Sequence, residues 1–157
     1  MIKETFKLFD KQWALVTAGT QEDFNTMTIS WGGLGTLWSK PCATVYVKPC
    51  RYTYGYMNDS EYFTVSFYDE RYRDDLMILG TKSKRDGDKL SLTQLTPAFL
   101  DKGISFKEAS CTLVCKKIYY QDLDINQIPQ AEIAQYYTKE APHRMYIGEV
   151  VEVIEHK

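Results

Sequence analysis

Single apolar residues alternate with single polar ones through most of this chain, the mark of strands with two unlike faces. In residues 26–31, Met27, Ile29 and Trp31 share one face and Thr26, Thr28 and Ser30 the other. Residues 43–48 set Ala43, Val45 and Val47 against Thr44, Tyr46 and Lys48; residues 62–67 set Phe63, Val65 and Phe67 against Tyr62, Thr64 and Ser66. Residues 13–18 predict another strand. Two longer runs follow. Residues 110–120 align Cys111, Leu113, Cys115, Lys117 and Tyr119 on one side. Residues 144–154 are apolar on both sides through their middle, which predicts a doubly covered strand, and Gly148 inside it predicts a bulge or a close backbone approach. Gly32, Gly33 and Gly35 predict a flexible loop between the second and third strands.

Helical spacing is rarer. Tyr72, Leu76 and Leu79 share a face over residues 70–79, with Gly80 as the stop. Residues 130–137 follow Pro129 and space Ile133 with Tyr136 and Tyr137. Residues 53–58 predict one or two turns capped by Thr53. The sum is a mainly β fold, a closed or nearly closed antiparallel barrel with a few short peripheral helices.

The 157 residues fit one domain spanning 1–157, and the 44 % apolar share is enough for a core. A net charge of −2 gives no electrostatic footprint for nucleic acid or an anionic membrane. No apolar run approaches the ~20 residues of a membrane-spanning helix, and the first residues show no leader pattern. Cys42, Cys50, Cys111 and Cys115 match no common zinc spacing, so no metal site is expected and reduced thiols in the cytoplasm are. Cys111 and Cys115, four residues apart on one strand, would lie ~13 Å apart, beyond the ~7 Å limit of a disulfide.

Four segments carry candidate chemistry. In residues 25–31, NTMTISW, the alternate hydroxyls of a strand line up beside a Trp. They can hydrogen-bond a flat polar ligand while Trp31 shields its face, though a wet strand face gives the same pattern. In residues 48–53, KPCRYT, Arg51 can grip a phosphate with parallel N–H donors, and Thr53 adds a hydroxyl where a helix starts. An ordinary capped turn with a solvated Arg is the plain alternative. Residues 80–89, GTKSKRDGDK, crowd charge around glycine without the spacing of a P-loop; Ser83 and Lys89 are its candidate ligands, and a solvated loop is the alternative. His143, just before the last strand, titrates near neutral pH when unperturbed and serves equally as a hydrogen-bonded structural residue.

Taken in order, these segments resemble the flavin reductase-like family of FMN-binding split barrels, and within it the flavoredoxin-type branch. The resemblance runs over nearly the whole chain, from WALVTAG at residues 13–19 to HRMYIGEV at residues 143–150. It implies an FMN-binding split barrel with Greek-key-like connections that holds FMN without a covalent bond. Asn25, Met27, Thr28, Ser30 and Trp31 would line the ring and ribityl chain, with Thr17 approaching from the first strand. Arg51, Tyr52 and Thr53 would hold the phosphate. Ser83 and Lys89 would reach in from the charged loop, and His143 would orient a second substrate or relay a proton. It also implies a homodimer, NAD(P)H as co-substrate, and electrons passed to a small-molecule or protein acceptor. An FMN-binding electron carrier without efficient NAD(P)H oxidation, and a silent barrel holding another flat ligand such as haem, are the alternatives. Lys84 stands where the family commonly has Gly, which puts the shape of that loop in question.

Overall fold

The computed structural model describes residues 2–156. Nine strands form in chain order: β1 Ala14–Gly19, β2 Phe24–Ile29, β3 Gly32–Leu37, β4 Lys40–Val47, β5 Tyr62–Phe67, β6 Pro97–Leu100, β7 Gly103–Phe106, β8 Cys111–Asp122 and β9 Arg144–Glu155. Four α-helices accompany them among the described residues: α1 Ile2–Asp10, α2 Thr53–Asp59, α3 Arg73–Thr81 and α4 Gln130–Tyr136. Seven strands make one curved antiparallel sheet in the order β2-β1-β5-β8-β9-β4-β3, and β6 pairs with β7 as a separate hairpin. The fold is mainly β, an antiparallel barrel with short peripheral helices as the alternation predicts, and of the split-barrel kind that the resemblance implies.

The inward face of the sheet is the predicted apolar set. Val16, Met27, Ile29, Val45, Val47, Phe63, Val65 and Tyr146 pack in one buried cluster with Phe9 and Met57. Phe9 seals it from α1, its ring edge-on to Phe67 at 5.5 Å. The α1 helix has no counterpart in the sequence reading, although Ile2, Phe6 and Phe9 fall at helical spacing; of these three only Phe9 is buried, and Ile2 and Phe6 stand exposed. A second cluster forms on the outer side of β1, where Leu15 packs with Leu76 and Leu79 of α3 and with Phe106.

Five local expectations change. The doubly covered strands are β1 and β5, whose Thr17, Thr64 and Ser66 are buried along with their apolar neighbours. The far half of β9 is instead open, with Val151 and Val153 exposed. The glycines at 32, 33 and 35 are not a loop: they pair along β4 as an edge strand, in a hairpin turned by Trp38 and Ser39 at φ 53° and 59°. Gly80 does not stop α3, which continues to Thr81; a Cβ on Gly80 would sit 3.1 Å from Thr28 Cβ, so glycine lets the helix lie against β2. Thr53 does not cap α2. It begins the helix, Tyr52 occupies the cap position, and the Thr53 hydroxyl is engaged elsewhere. Finally, the one-sided run on β8 ends at Lys117. Lys117 pairs with Gly148 and Tyr119 with Ile147, so Ile118 is an inserted residue and the alternation shifts. Gly148 makes the close approach expected of it: a Cβ there would lie 2.7 Å from atoms of Cys115 and Phe63.

Candidate functional site

The end of β2, the turn into α2, and the loop after α3 meet at one side of the barrel. Residues 48–53 leave β4 beside β2, because both strands contribute side chains to the same core. The α3 helix lies across the outer face of β2, so residues 81–89 emerge opposite Arg51. Three cavities adjoin there. The first, about 380 Å³, runs along Met27 to Trp31 and is walled by Arg51, Glu140 and His143. The second, about 210 Å³, lies between Arg51–Thr53 and Thr81–Ser83, and shares Arg51 with the first. The third, about 560 Å³, shares Asn25 and Lys89 with the second and is bounded by Lys84.

The second cavity has the most pronounced electrostatics. Among the described residues its walls carry Arg51, Lys82, Arg85 and Lys89 and no carboxylate. Asn25 is buried and donates from Nδ2 to Thr53 Oγ1 at 2.8 Å, which leaves the Thr53 hydroxyl proton for an incoming acceptor. Arg51 spends one Nη2 donor on the Gly80 carbonyl at 3.2 Å, tying the two walls together. Lys89 is buried, with only long contacts from Nζ to the carbonyls of Leu79 and Lys82, at 3.4 and 3.5 Å. Burial, then the nearby charges of Arg51 and Lys84, push its ammonium down to about 8. A cluster of cations that repel one another in a confined space is an anion site by its chemistry.

The first cavity differs. β2 is an edge strand, bonded only to β1, so alternate peptide groups along it have no strand partner and can bond the rim of a flat ligand. Trp31 stands edge-on to Tyr136 at 4.9 Å and tilted to His143 at 5.3 Å. His143 Nδ1 lies 2.8 Å from the Tyr137 hydroxyl. Burial, then Lys48, holds its imidazole down to about 4, so the ring is neutral at pH 7. Cys50 donates to Glu140 Oε2 at 2.6 Å; burial and this carboxylate push the thiol up, while the bond and Lys48 lower Glu140.

Most of the residues singled out in the sequence gather here. Met27, Thr28, Ser30, Trp31, Arg51 and His143 line the first cavity; Asn25, Arg51, Tyr52, Thr53, Ser83 and Lys89 line the second. Two do not behave as expected. Thr17 is fully buried with its hydroxyl 2.8 Å from that of Thr26 and reaches none of the three cavities. Thr28 does border the first cavity, but its hydroxyl donates to the Leu76 carbonyl of α3, and the Thr26 hydroxyl bonds within the sheet, so of the three hydroxyls Ser30 alone is left to the cavity. The strand itself stops at Ile29, and Ser30 and Trp31 lie beyond it. Sequence reasoning missed Lys82, Arg85, Glu140 and Tyr136. The charge density of residues 80–89 signalled the first two; nothing in the chain links Glu140 to Cys50, ninety positions away.

The model of the flavin reductase like domain matches residues 6–157. The chain belongs to this family. Among solved structures it is similar to a flavoredoxin from Methanosarcina acetivorans, with TM-score 0.72, 17 % identity, and 93 % of this chain and 69 % of the other covered. It is also similar to an FMN-binding protein from Thermus thermophilus with bound p-hydroxybenzaldehyde, with TM-score 0.73, 20 % identity, and 92 % and 71 % covered. A split barrel domain from Shewanella frigidimarina aligns over the whole of this chain and 75 % of its own, with TM-score 0.73 and 16 % identity. None of the curated protein sequences matches the chain significantly. At these identities the likeness to solved structures speaks for the fold alone. No helix among the described residues is long and apolar enough to cross a membrane.

Proposed function

We propose that this family member binds FMN non-covalently along the groove, takes hydride from NAD(P)H onto the flavin and passes the electrons to a second substrate. The observation that carries the reading is the join between a cation-walled cavity without a carboxylate and a cavity along an edge strand lined by Trp31. FMN is a flat ring with a phosphate at the far end of a short chain, and this donor set fits it. Arg51, Thr53, Ser83 and Lys89 would hold the phosphate. Asn25, Met27, Ser30 and the peptide groups on either side of Thr28 would meet the ribityl chain and ring, and Tyr52 would cover the phosphate end. When bound, the flavin supplies the redox chemistry, which the protein's own side chains lack.

The remaining roles belong to residues of this chain. His143 stays neutral, so it acts as a hydrogen-bond donor or acceptor rather than as a cation. The phenol of Tyr137 is the better acid of the pair, and donating to Nδ1 it leaves the Nε2 proton to orient a carbonyl of the second substrate. Trp31 and Tyr136 form an aromatic wall for a flat partner, whether nicotinamide or acceptor. The Thermus relative was solved with an aromatic aldehyde, which supports a small aromatic acceptor. A carrier without efficient NAD(P)H oxidation stays in view because a flavoredoxin is among the similar folds. We also place the protein in the cytoplasm as a homodimer; the exposed Trp38, Val151 and Val153 support an interface on the β3 and β9 side.

Purified protein should be yellow and release FMN on denaturation. Anaerobic mixing with NADH and with NADPH should bleach the flavin with one of them; bleaching by neither, with bleaching by dithionite, favours the carrier. A colourless protein that takes up no FMN overturns the proposal. Light scattering at micromolar concentration tests the dimer.

A further inference from the structure

Between Lys82 and Leu92 the chain makes two short 3-10 turns, and of its described side chains only Lys89 is buried. A segment with so little burial has a low local opening energy. Two consecutive side chains fasten it. The Lys84 ammonium donates to Asp23 Oδ1, to the Phe24 carbonyl and to the Tyr56 hydroxyl, each at 2.9 Å. Tyr56 in turn donates to Asp23 Oδ1 at 2.7 Å, which closes a three-membered ring of bonds. Arg85 reaches the other way: Nη2 donates to the Cys50 carbonyl at 3.3 Å, and its guanidinium lies over the Tyr52 ring at 5.5 Å. The segment thereby bridges the wall of the second cavity from the β1–β2 turn to the residues beside Arg51.

We propose that Lys84, clasped by Asp23 and Tyr56, is a positioning residue that straps this segment over the phosphate end of the groove, so that FMN is retained as a resident cofactor rather than exchanged as a substrate. The proposal rests on the FMN reading above and specifies which use of FMN the protein makes. The physical basis is the number and kind of bonds. All three Lys84 bonds are charge-assisted, and all end on parts of the body that the ordered core holds in place. Asp23 ends the β1–β2 turn, Phe24 begins β2, and Tyr56 belongs to α2. Ser83 and Lys89, the loop's two contributions to the cavity, flank the fastened pair and are held facing Arg51 and Thr53. Loss of the clasp frees the segment to open, and opening removes ligands from the phosphate alone.

The test compares Lys84→Met, Tyr56→Phe and Arg51→Ala with the parent. FMN release is followed by recovery of flavin fluorescence on dilution, alongside riboflavin affinity and apo-protein melting. Lys84→Met should release FMN about tenfold faster or more, the effect expected from losing charge-assisted hydrogen bonds. Tyr56→Phe should have a smaller effect of the same sign. Riboflavin affinity should not change, and apo-protein melting should fall only slightly, since the strap ties down a thinly packed surface segment. Unchanged FMN release in Lys84→Met, with FMN binding weakened in Arg51→Ala, overturns the strap and leaves the FMN reading standing. FMN binding unaffected in Arg51→Ala as well overturns both. A Lys84→Met protein that melts far lower and loses riboflavin and FMN alike shows a structural brace and also overturns the strap.

Discussion

At the cation-walled end of the groove, Thr53, Asn25 and Lys89 are 1 %, 4 % and 5 % exposed, and hydrogen bonds connect its two walls. At the aromatic end, Trp31 and Tyr136 are 40 % and 37 % exposed, and α4 has no buried residue. Its segment is attached by contacts such as those of Cys50 with Glu140, and of Lys48 with the Tyr136 carbonyl at 3.1 Å. The first end is anchored in the folded core through Asn25, Thr53 and Lys89, and the segment strapped by Lys84 and Arg85 closes its other wall. The second is a lightly fastened flap. Affinity for a ligand's anionic part therefore comes from the body of the barrel, while the choice of what enters beside the ring comes from a segment that can move at little cost.

The largest effect should come from breaking the anchored end. Arg51→Ala should weaken FMN by roughly tenfold to a hundredfold, the loss of a charge-assisted hydrogen bond worth about 1.5–3 kcal/mol. Riboflavin binding, measured by fluorescence quenching, should change little. Equal losses for both ligands would remove the phosphate from this end.

A proton can weaken the same end without mutation. Lys89 is held down to about 8, and a bound phosphate favours its charged form. FMN affinity should therefore be level between about pH 7 and 8, above the phosphate's own second ionisation near about 6, and fall as pH rises further, by up to about tenfold per pH unit. In Lys89→Met the slope should vanish. A flat titration in the parent would show that Lys89 does not face the anion.

The flap should respond differently. Tyr136→Ala should leave FMN content intact and raise the KM of the second substrate several-fold in steady-state assays. Loss of FMN from this variant would erase the division between the two ends.

Acid should act on the aromatic end through His143. Its folded-state imidazole sits at about 4, against an ordinary value near 6.5, so the unfolded chain binds the proton first. Above about pH 6.5 the shift has no effect; as pH falls from about 6.5 towards 4 it lowers stability. His143→Gln should flatten the melting temperature over that window.

The smallest effect separates strand from ligand. Thr28→Val removes the hydroxyl that meets the Leu76 carbonyl. It should cost about 0.5–1.5 kcal/mol of apo-protein stability in urea unfolding. Flavin content should be unchanged, because the hydroxyl is committed to α3.

The alternation of Val45 and Val47 on β4, and of Phe63 and Val65 on β5, determined by itself which faces turn inward, since a one-residue slip would expose every one of those side chains. The order of segments likewise made the family and most of the site legible. Arg51, Thr53, Ser83 and Lys89 could be named as candidates because an anion site calls for cations and hydroxyls on loops, whichever way the loops run, and the fold brings the four to one cavity. What only the tertiary structure decided is which surface each polar residue faces. Thr28 and Ser30 share a parity in sequence, yet α3 takes the hydroxyl of Thr28 and leaves Ser30 to the cavity, because Gly80 lets the helix lie directly on β2. Thr17 read as a site residue and is buried against Thr26. The glycines of β3 read as a loop, since glycine reports backbone freedom rather than hydrogen bonding, and only β4 alongside makes them a strand. The three partners of Lys84 come from two other elements, sixty and twenty-eight residues back in the chain. Long-range packing brings such partners together, and no local pattern encodes it.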